Sequence, residues 1–408
     1  MNFGLIGGKL AHSYSPQIHS HLGDYSYVLI EKQPEELEKL LRSGTFDGFN
    51  VTIPYKSTVI PYCDELSAVA ARMGAVNTIV RREDGTLIGH NTDYFGFETM
   101  LLQSGIDIQG KKALVLGSGG ASKTAVTVLQ DKGADVVVIS RSGQNNYENL
   151  HLHTDATMIV NTTPVGMYPA SGESPLSLDI FPHLECVLDM IYNPARTALL
   201  QRAEERGIIA MNGLLMLVAQ AKESAEWFTG ASIPDEKIRT IHALLARQME
   251  NIVLIGMPGS GKSTVGKLLA EKTGKEFIDA DALIAEKAGC TIPDIFATQG
   301  ESGFRALETE VLAQVGKASG LVIATGGGCV TREENYPLLH QNGRIFCLER
   351  DIKNLATDGR PLSQATKMEE MYRVRKPLYQ RFADYMVDNN GTPECAAGKI
   401  LSIWEENL

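Results

Sequence analysis

Short apolar runs alternate with amphipathic stretches along the whole chain, a pattern that predicts an α/β architecture with largely parallel sheets. Near the start, "FGLIG", "YSYVLI" and "FDGFNVTI" read as strands, and the stretches from Pro16 to Leu22 and from Pro34 to Leu41 read as helices. After "GHNTDYFGFETMLLQSG" a new unit opens. "KKALVLG" supplies a strand, "ASKTAVTVLQDKG" a helix and "DVVVISRS" a second strand, which completes a βαβ unit. Beyond Gly213 the pattern turns helical through "LLMLVAQAKESAEWF" and "PDEKIRTIHALLARQ", and "NIVLIG" then starts another strand. That junction holds no Gly/Ser-rich or Pro-rich tether. Met249 stands where a free-standing protein would begin, as joined genes or an ordinary internal methionine would leave it. No internal repeat or low-complexity tract interrupts the pattern.

Composition narrows the class. The 408 residues suffice for two or three domains, and an apolar fraction of 43% is that of a globular protein. A formal net charge of −11 without a dense basic run argues against nucleic acid as a partner. The six cysteines are scattered and form no CxxC pair, so neither a zinc site nor a disulfide framework is expected. The N-terminus "MNFGLIGGKL" lacks a basic n-region and a long apolar h-region, and no apolar run is long enough to cross a bilayer. A cytoplasmic protein with no membrane partner is expected.

The strongest chemical signal is "GMPGSGKST", which has the full G-x-x-x-x-G-K-[ST] spacing between a strand and the helix-like "TVGKLLAEKTG". In that context Gly259, Ser260, Gly261, Lys262, Ser263 and Thr264 wrap the phosphates of a nucleoside triphosphate. Lys262 reaches the β- and γ-phosphates and Ser263 ligates Mg²⁺. In "FIDADALI", Asp279 and Asp281 at i, i+2 point to one face of an extended segment. One can serve Mg²⁺ while the other orients or deprotonates a hydroxyl; a solvated strand end is the bland alternative. "GESGFRALETE" puts Arg305 and Glu308 at i, i+3 on a helix, and "ATGGGCV" puts three glycines after an apolar strand. "TDGRPLS" offers Arg360 and "RVRKPLYQRFA" offers Arg375, residues that are more often solvated than functional when isolated.

Together these motifs resemble shikimate kinase over essentially all of 251–408. The resemblance implies that Asp279 lies near the metal and that Asp281 binds the substrate hydroxyls as candidate base for the 3-hydroxyl. It implies that Arg305 and Arg375 clamp the shikimate carboxylate, a task suited to planar guanidinium groups. Gly326, Gly327 and Gly328 match the triplet under the ring, and Arg360 matches a lid arginine that steadies transition-state charge.

Upstream, "LVLGSGGASK" gives Gly117 and Gly119 the first two positions of G-x-G-x-x-G, with Ser122 at the third, which alone is as consistent with an ordinary βα turn. The next strand ends in Arg141, where an NAD-preferring site carries an acid; an arginine there favours NADP, with a surface arginine as the alternative. "KLAHSYSPQIH" presents Ser13 and Ser15, either as a carboxylate site or with Ser15 as a helix N-cap ahead of Pro16. "NVTIPYK" ends on Lys56, which at a cleft mouth can be tuned for proton transfer but on spacing alone reads as a surface lysine.

The first 248 residues resemble shikimate dehydrogenase. The resemblance makes Ser13 and Ser15 the carboxylate site and Lys56 and Asp93 the catalytic pair, with Asn77 and Asp93 also holding ring hydroxyls. Thr52, Tyr192 and Gln220 fall at substrate-contacting positions. Gly117, Gly119, Gly120 and Ala121 match the pyrophosphate loop and Arg141 the 2′-phosphate arginine. Thr162 in "NTTPVGM" and Met216 match positions beside the nicotinamide. Three positions depart from the family pattern. Tyr94 replaces the glycine usual after "NTD", a change that could alter the local turn; Ser140 replaces the asparagine usual before Arg141; and no second basic residue follows in "SRSGQNN".

The resulting expectation is a bifunctional enzyme. Its first half reduces 3-dehydroshikimate with NADPH, and its second phosphorylates the resulting shikimate with ATP and Mg²⁺. A first half that is a quinate/shikimate dehydrogenase, or a non-catalytic dinucleotide sensor regulating the kinase, remains as an alternative. The expected lobes are a substrate domain at 1–93 plus 213–248, a Rossmann-like NADP domain at 94–212 and a P-loop kinase domain at 249–408. The sequence leaves the oligomeric state open.

Overall fold

The computed structural model describes residues 1–10, 13–355 and 363–406. Its strands form three sheets. The first comprises β1 (Asn2–Gly7), β2 (Ser26–Glu31), β3 (Gly48–Val51), β4 (Glu65–Leu66), β5 (Thr78–Arg81) and β6 (Leu87–His90), in the order β2-β1-β3-β5-β6-β4. It is mixed rather than parallel, because β5 runs antiparallel to both β3 and β6. The β5–β6 hairpin turns at Asp84–Gly85, where Gly85 takes φ +86°. The second sheet comprises β7 (Lys112–Leu116), β8 (Asp135–Ile139), β9 (Met158–Asn161), β10 (Cys186–Asp189) and β11 (Ile209–Met211), all parallel, in the order β11-β10-β9-β7-β8. The third comprises β12 (Asn251–Ile255), β13 (Glu276–Asp279), β14 (Leu321–Ala324), β15 (Gly343–Glu349) and β16 (Tyr385–Asp388), also all parallel, in the order β13-β14-β12-β15-β16.

The parallel sheets are covered on both faces, which is why their central strands read as unbroken apolar runs. In β7, Leu114 and Leu116 pack in one core with Ile159 and Val187, while Ala113 and Val115 pack in another with Val160 and Leu188. In β12, Val253 and Ile255 face one side with Ile345, and Ile252 and Leu254 face the other with Phe346. All six cysteines are free thiols. No helix among the described residues is long and apolar enough to cross a membrane.

The chain packs as two compact units. One holds residues 1–165, 174–192 and 199–244; the other holds 166–173, 193–198 and 245–408. The division falls inside the helix Glu236–Met249, and two short segments of the span 94–212 count with the second unit.

Tyr94 does not disturb a turn. It lies in the first turn of the helix Asp93–Gln103, and no non-glycine residue among those described has positive φ. Its hydroxyl donates to Asp131 at 2.8 Å, and Arg72 pairs with the same carboxylate while lying over the Tyr94 ring. The side chain that replaces glycine therefore links the helix Ala68–Met73 of the first sheet to the helix Gly120–Asp131 of the second.

Two buried histidines make the first unit sensitive to acid. His19 stacks on Tyr27 and shares a 2.8 Å hydrogen bond with Tyr25, and burial lowers its pKa from 6.5 to about 3. His90 stacks on Trp227, and burial lowers its pKa to about 4; Glu223 Oε1 lies 3.9 Å from its ring, beyond hydrogen-bond reach. Both pKa values are depressed on folding, so the unfolded chain binds more protons below pH 6.5, and stability falls as the pH drops toward 4. Each histidine contributes a slope of at most about 1.4 kcal/mol per pH unit. Trp404→Phe leaves Trp227 as the fluorescent reporter of this unit. Urea midpoints read from it are expected to fall between about pH 7 and about pH 5, and His19→Gln is expected to flatten that fall.

Candidate active sites

In the first unit the reacting groups converge from three chain segments on one side of the first sheet. Lys56 follows the loop that leaves β3, and its backbone carbonyl accepts from Val76 N at 2.7 Å. Asn77 immediately precedes β5. Its carbonyl accepts from Val51 N (2.8 Å) and its N–H donates to His90 O (3.0 Å), so its backbone is tied to strands on both sides. Asp93 opens the helix that follows β6.

The side chains complete the cluster. Lys56 Nζ lies 2.5 Å from Asp93 Oδ2, and Asn77 Nδ2 donates to Asp93 Oδ1 at 2.9 Å. Asn77 Oδ1 accepts from Thr92 N at 2.7 Å, which fixes the amide the right way round to donate to the carboxylate. Lys56 and Asp93 keep 28% and 14% of their side-chain surface exposed, so the pair is sheltered yet open to a ligand.

Ser13 and Ser15 stand together, with a 3.1 Å hydrogen bond between their hydroxyls. Ser15 is not an N-cap: Tyr14 holds that position without a side-chain bond, and Ser13 Oγ instead receives Ser15 N. Tyr192 packs edge-on to Tyr14. Thr52 N donates to Ile6 O, and its methyl lies close over Gly7. Gln220 Oε1 accepts from Thr92 Oγ1 at a long 3.4 Å, which brings it to the same cluster.

The dinucleotide-type loop leaves β7 at the point where the strand order reverses between β7 and β9, the usual ligand crevice of such sheets. Gly117 has φ +107°, and a Cβ there would lie 2.8 Å from Thr162 Oγ1, so these two residues adjoin at the mouth of the crevice. Gly119 caps the helix Gly120–Asp131. Added Cβ atoms on Gly119 and Gly120 would meet nothing within 4 Å, which leaves free space over the helix N-terminus and the exposed Ala121. Arg141 is exposed at the end of β8, and Met216 lies half-buried on the helix Leu214–Thr229.

In the second unit the P-loop leaves β12 and the glycine triplet leaves the neighbouring β14, so the two emerge side by side from one sheet edge. Gly259 and Gly261 have φ +79° and +95°. Lys262 is buried, which pushes its pKa down, and Nζ turns back onto the carbonyls of Gly256 (2.9 Å) and Met257 (3.0 Å). Ser263 Oγ donates to Asp279 Oδ2 at 2.7 Å, an all-oxygen pair of the kind a hard divalent cation takes, and Thr264 follows it on the same helix. Ser260 Oγ is buried with no protein partner.

Asp279 and Asp281 do not share an extended segment. β13 ends at Asp279, which caps the helix Ala280–Ala288 through Asp281 N and Ala282 N, and Asp281 lies in the first helical turn. The cap competes with strand continuation, because the Asp279 carboxylate satisfies N–H groups that only a helix leaves open. Asp281 still reaches the glycine triplet. A Cβ on Gly326 would lie 2.7 Å from both Asp281 Oδ1 and Glu308 Oε1, two buried oxygens without a protein partner. Burial, and then Asp279, push the Asp281 carboxyl above its ordinary range against the pull of Lys262 and Arg305.

Arg305 packs directly on Gly328, where a Cβ would strike Nη2, and its Nη1 is held by the fully buried Glu308 at 2.7 Å. Arg375 Nη1 donates to Gly327 O at 3.0 Å, so both guanidinium groups gather at the triplet. Arg360 lies outside the described residues. The i, i+3 spacing already set Glu308 beside Arg305, but two further residues near this cluster escaped the motif reading. Tyr379 donates to Gly327 O, and Asn389 donates to Ser260 O at 2.7 Å to hold the P-loop. Both lie far along the chain from the loops they hold. A cavity of about 540 Å³ next to Asn389 is lined by residues 349–353, Glu369, Tyr372, Asp388 and Asn390.

Comparison with known proteins bears on both clusters. The family model for the shikimate dehydrogenase substrate binding domain matches residues 5–79, and that for shikimate kinase matches residues 258–405. The shikimate dehydrogenase (NADP(+)) of Clostridium beijerinckii is 36% identical over 269 residues, spanning 61% of this chain and 99% of that protein. Shikimate dehydrogenase 1 of Peptoclostridium difficile superposes with a TM-score of 0.55 at 40% identity, over 60% of this chain and 98% of that one. The shikimate 5-dehydrogenase of Thermus thermophilus, solved with NADP(H) and shikimate, superposes with a TM-score of 0.55 at 31% identity, over 59% and 98% of the two chains. The chain therefore belongs to the shikimate dehydrogenase family in its first part and carries a shikimate kinase domain in its last.

Proposed function

We propose that the chain catalyses two consecutive reactions, the NADPH-dependent reduction of 3-dehydroshikimate to shikimate and the ATP-dependent phosphorylation of shikimate at its 3-hydroxyl. The observation that carries this reading is that two separately built clusters suit one hydroxylated ring acid. In the first unit a lysine–aspartate pair accompanies paired serine hydroxyls; in the second a buried carboxyl accompanies two guanidinium groups. The proposed domain boundaries are 1–93 with 213–248, 94–212 and 249–408.

In the dehydrogenase half, Ser13 and Ser15 bind the carboxylate, and Thr52, Asn77, Tyr192 and Gln220 hold the ring. The open helix N-terminus at Gly117, Gly119, Gly120 and Ala121 suits the cofactor pyrophosphate, Arg141 its 2′-phosphate, and Thr162 and Met216 the nicotinamide side. NADPH, when held there, would supply the hydride that reduces the 3-carbonyl. The Lys56 ammonium gives a proton to the carbonyl oxygen as that oxygen gains negative charge. Asp93 keeps the ammonium pointed at it, and Asn77 keeps Asp93 in place.

In the kinase half, Arg305 and Arg375 clamp the carboxylate across Gly327 and Gly328. Asp281 takes the proton of the 3-hydroxyl, and its raised pKa makes it a better base than an ordinary carboxylate. The hydroxyl oxygen bonds to the γ-phosphorus of ATP while the bond from phosphorus to the bridging oxygen breaks, leaving ADP and shikimate 3-phosphate. Gly259, Ser260, Gly261, Lys262 and Thr264 cradle the phosphates, with Arg360 as the covering arginine. Ser263 and Asp279 would hold Mg²⁺, which offsets phosphate charge when bound. The cavity beside Asn389 has room for the nucleoside.

A single-pot assay with 3-dehydroshikimate, NADPH and ATP–Mg²⁺ is expected to yield shikimate 3-phosphate. In the reverse direction, NADPH absorbance is expected on mixing NADP⁺ with shikimate. If it appears with neither shikimate nor quinate, the first half is reduced to a sensor. Lys56→Ala is expected to lower dehydrogenase turnover by about 10²- to 10⁴-fold while NADP affinity and kinase activity are retained. Gly328→Ala should displace the Arg305 guanidinium and lower kinase kcat/KM for shikimate by about 100-fold, with nucleotide binding by isothermal titration preserved.

A further inference from the structure

Ser224 lies in the middle of the helix Leu214–Thr229 and has no exposed surface. Its hydroxyl meets polar groups from four segments. Asn50 Nδ2 of β3 donates to it at 2.8 Å, Thr78 Oγ1 of β5 lies 2.9 Å away and Thr92 Oγ1 3.0 Å away, and it donates to Gln220 O at 3.0 Å. Four neighbours thus share its one hydrogen and two lone pairs, which leaves none of its hydrogen-bonding capacity unused. Packing alone does not call for a serine here. The flanking Ala221, Ala225 and Phe228 are apolar and buried, and alanine favours a helix interior over serine.

Followed outward, the contacts run to both ends of the substrate site. On one side Thr92 Oγ1 accepts from Asn77 Nδ2 at 3.0 Å. That same amide holds Asp93, and Asp93 holds Lys56. On the other side Asn50 Oδ1 accepts from the Tyr27 hydroxyl at 2.8 Å; the Tyr27 ring stacks on His19 of the helix that opens at Ser15, which is paired with Ser13. We infer that Ser224 is a positioning residue for the dehydrogenase reaction, the junction that fixes the Lys56–Asp93 pair relative to the paired serines. The inference rests on the dehydrogenase reading and deepens it. Proton transfer needs the lysine within hydrogen-bond reach of the carbonyl oxygen of a ring anchored through its carboxylate, so the spacing of the two ends decides the rate. Substrate affinity depends on each end separately and is less affected.

The test uses the full-length chain in four forms: wild type, Ser224→Ala, Lys56→Ala and the double variant. Wild-type turnover tests the dehydrogenase reading by itself, and the ratios among variants test the role of Ser224. Ser224→Ala is expected to lower kcat for shikimate oxidation about tenfold, with KM for NADP⁺ unchanged and KM for shikimate altered less than kcat. In the Lys56→Ala background the same substitution is expected to cost little more, because a residue acting through Lys56 has nothing left to position. An unchanged kcat in Ser224→Ala overturns the inference. So does a tenfold loss that persists when Lys56 is absent, since that is the signature of a general loss of structure.

Discussion

Asn77 is the residue on which the first site depends. Its backbone bonds to strands on both sides, and its side chain receives Thr92 N while donating to Asp93. A residue constrained at so many points cannot adjust one contact without disturbing another, so the position of Asp93 becomes a property of the sheet. Lys56 inherits that position through the 2.5 Å pair. The flexible part of the machinery, a four-carbon lysine stem, is thus steered by the stiffest part of the sheet.

The second unit reaches the same end by a different route. Its charged groups converge on a loop with no side chains of its own, so Asp281, Glu308 and Arg305 approach the backbone of Gly326–Gly328 directly. The two buried carboxyl oxygens left without protein partners, Asp281 Oδ1 and Glu308 Oε1, belong to groups under the influence of the Arg305 guanidinium, a balance that keeps these charges tolerable away from water. Both sites exploit adjacent strand ends, at β3, β5 and β6 in one sheet and at β12 and β14 in the other.

What the sequence disclosed follows from how local each signal is. The βαβ unit and the P-loop were legible because strand, turn and helix follow one another within a few tens of residues. The β5–β6 hairpin escaped the reading although Asp84–Gly85 is a recognised turn pair, because the short strands on either side carry no clear alternation. Asp281 was read on a strand because i, i+2 spacing suits one, whereas the Asp279 cap switches the backbone to helix in between. Positions such as Lys56, Asp93, Asn77 and Arg305 could be picked out from motifs, but the buried polar network behind them could not. Asn50 looks like a stray polar residue in an apolar strand, and its bond to Ser224 spans 174 positions of chain. Tyr94 shows the reverse case, a departure from the family pattern that the helix accommodates without strain and puts to use with Asp131 and Arg72.

The crowding around the glycine triplet also bears on how this chain can change over evolutionary time. A methyl group at Gly326 would strike Asp281 and Glu308, one at Gly327 would strike Pro258 of the P-loop, and one at Gly328 would strike Arg305. Three neighbouring codons are therefore answerable between them to three remote segments, the P-loop and two helices, and no single compensating change elsewhere could relieve all of them. Mutational drift that is harmless on the surface of the same unit is closed off here, and the loop acts as a fixed point around which the rest of the unit is free to diverge.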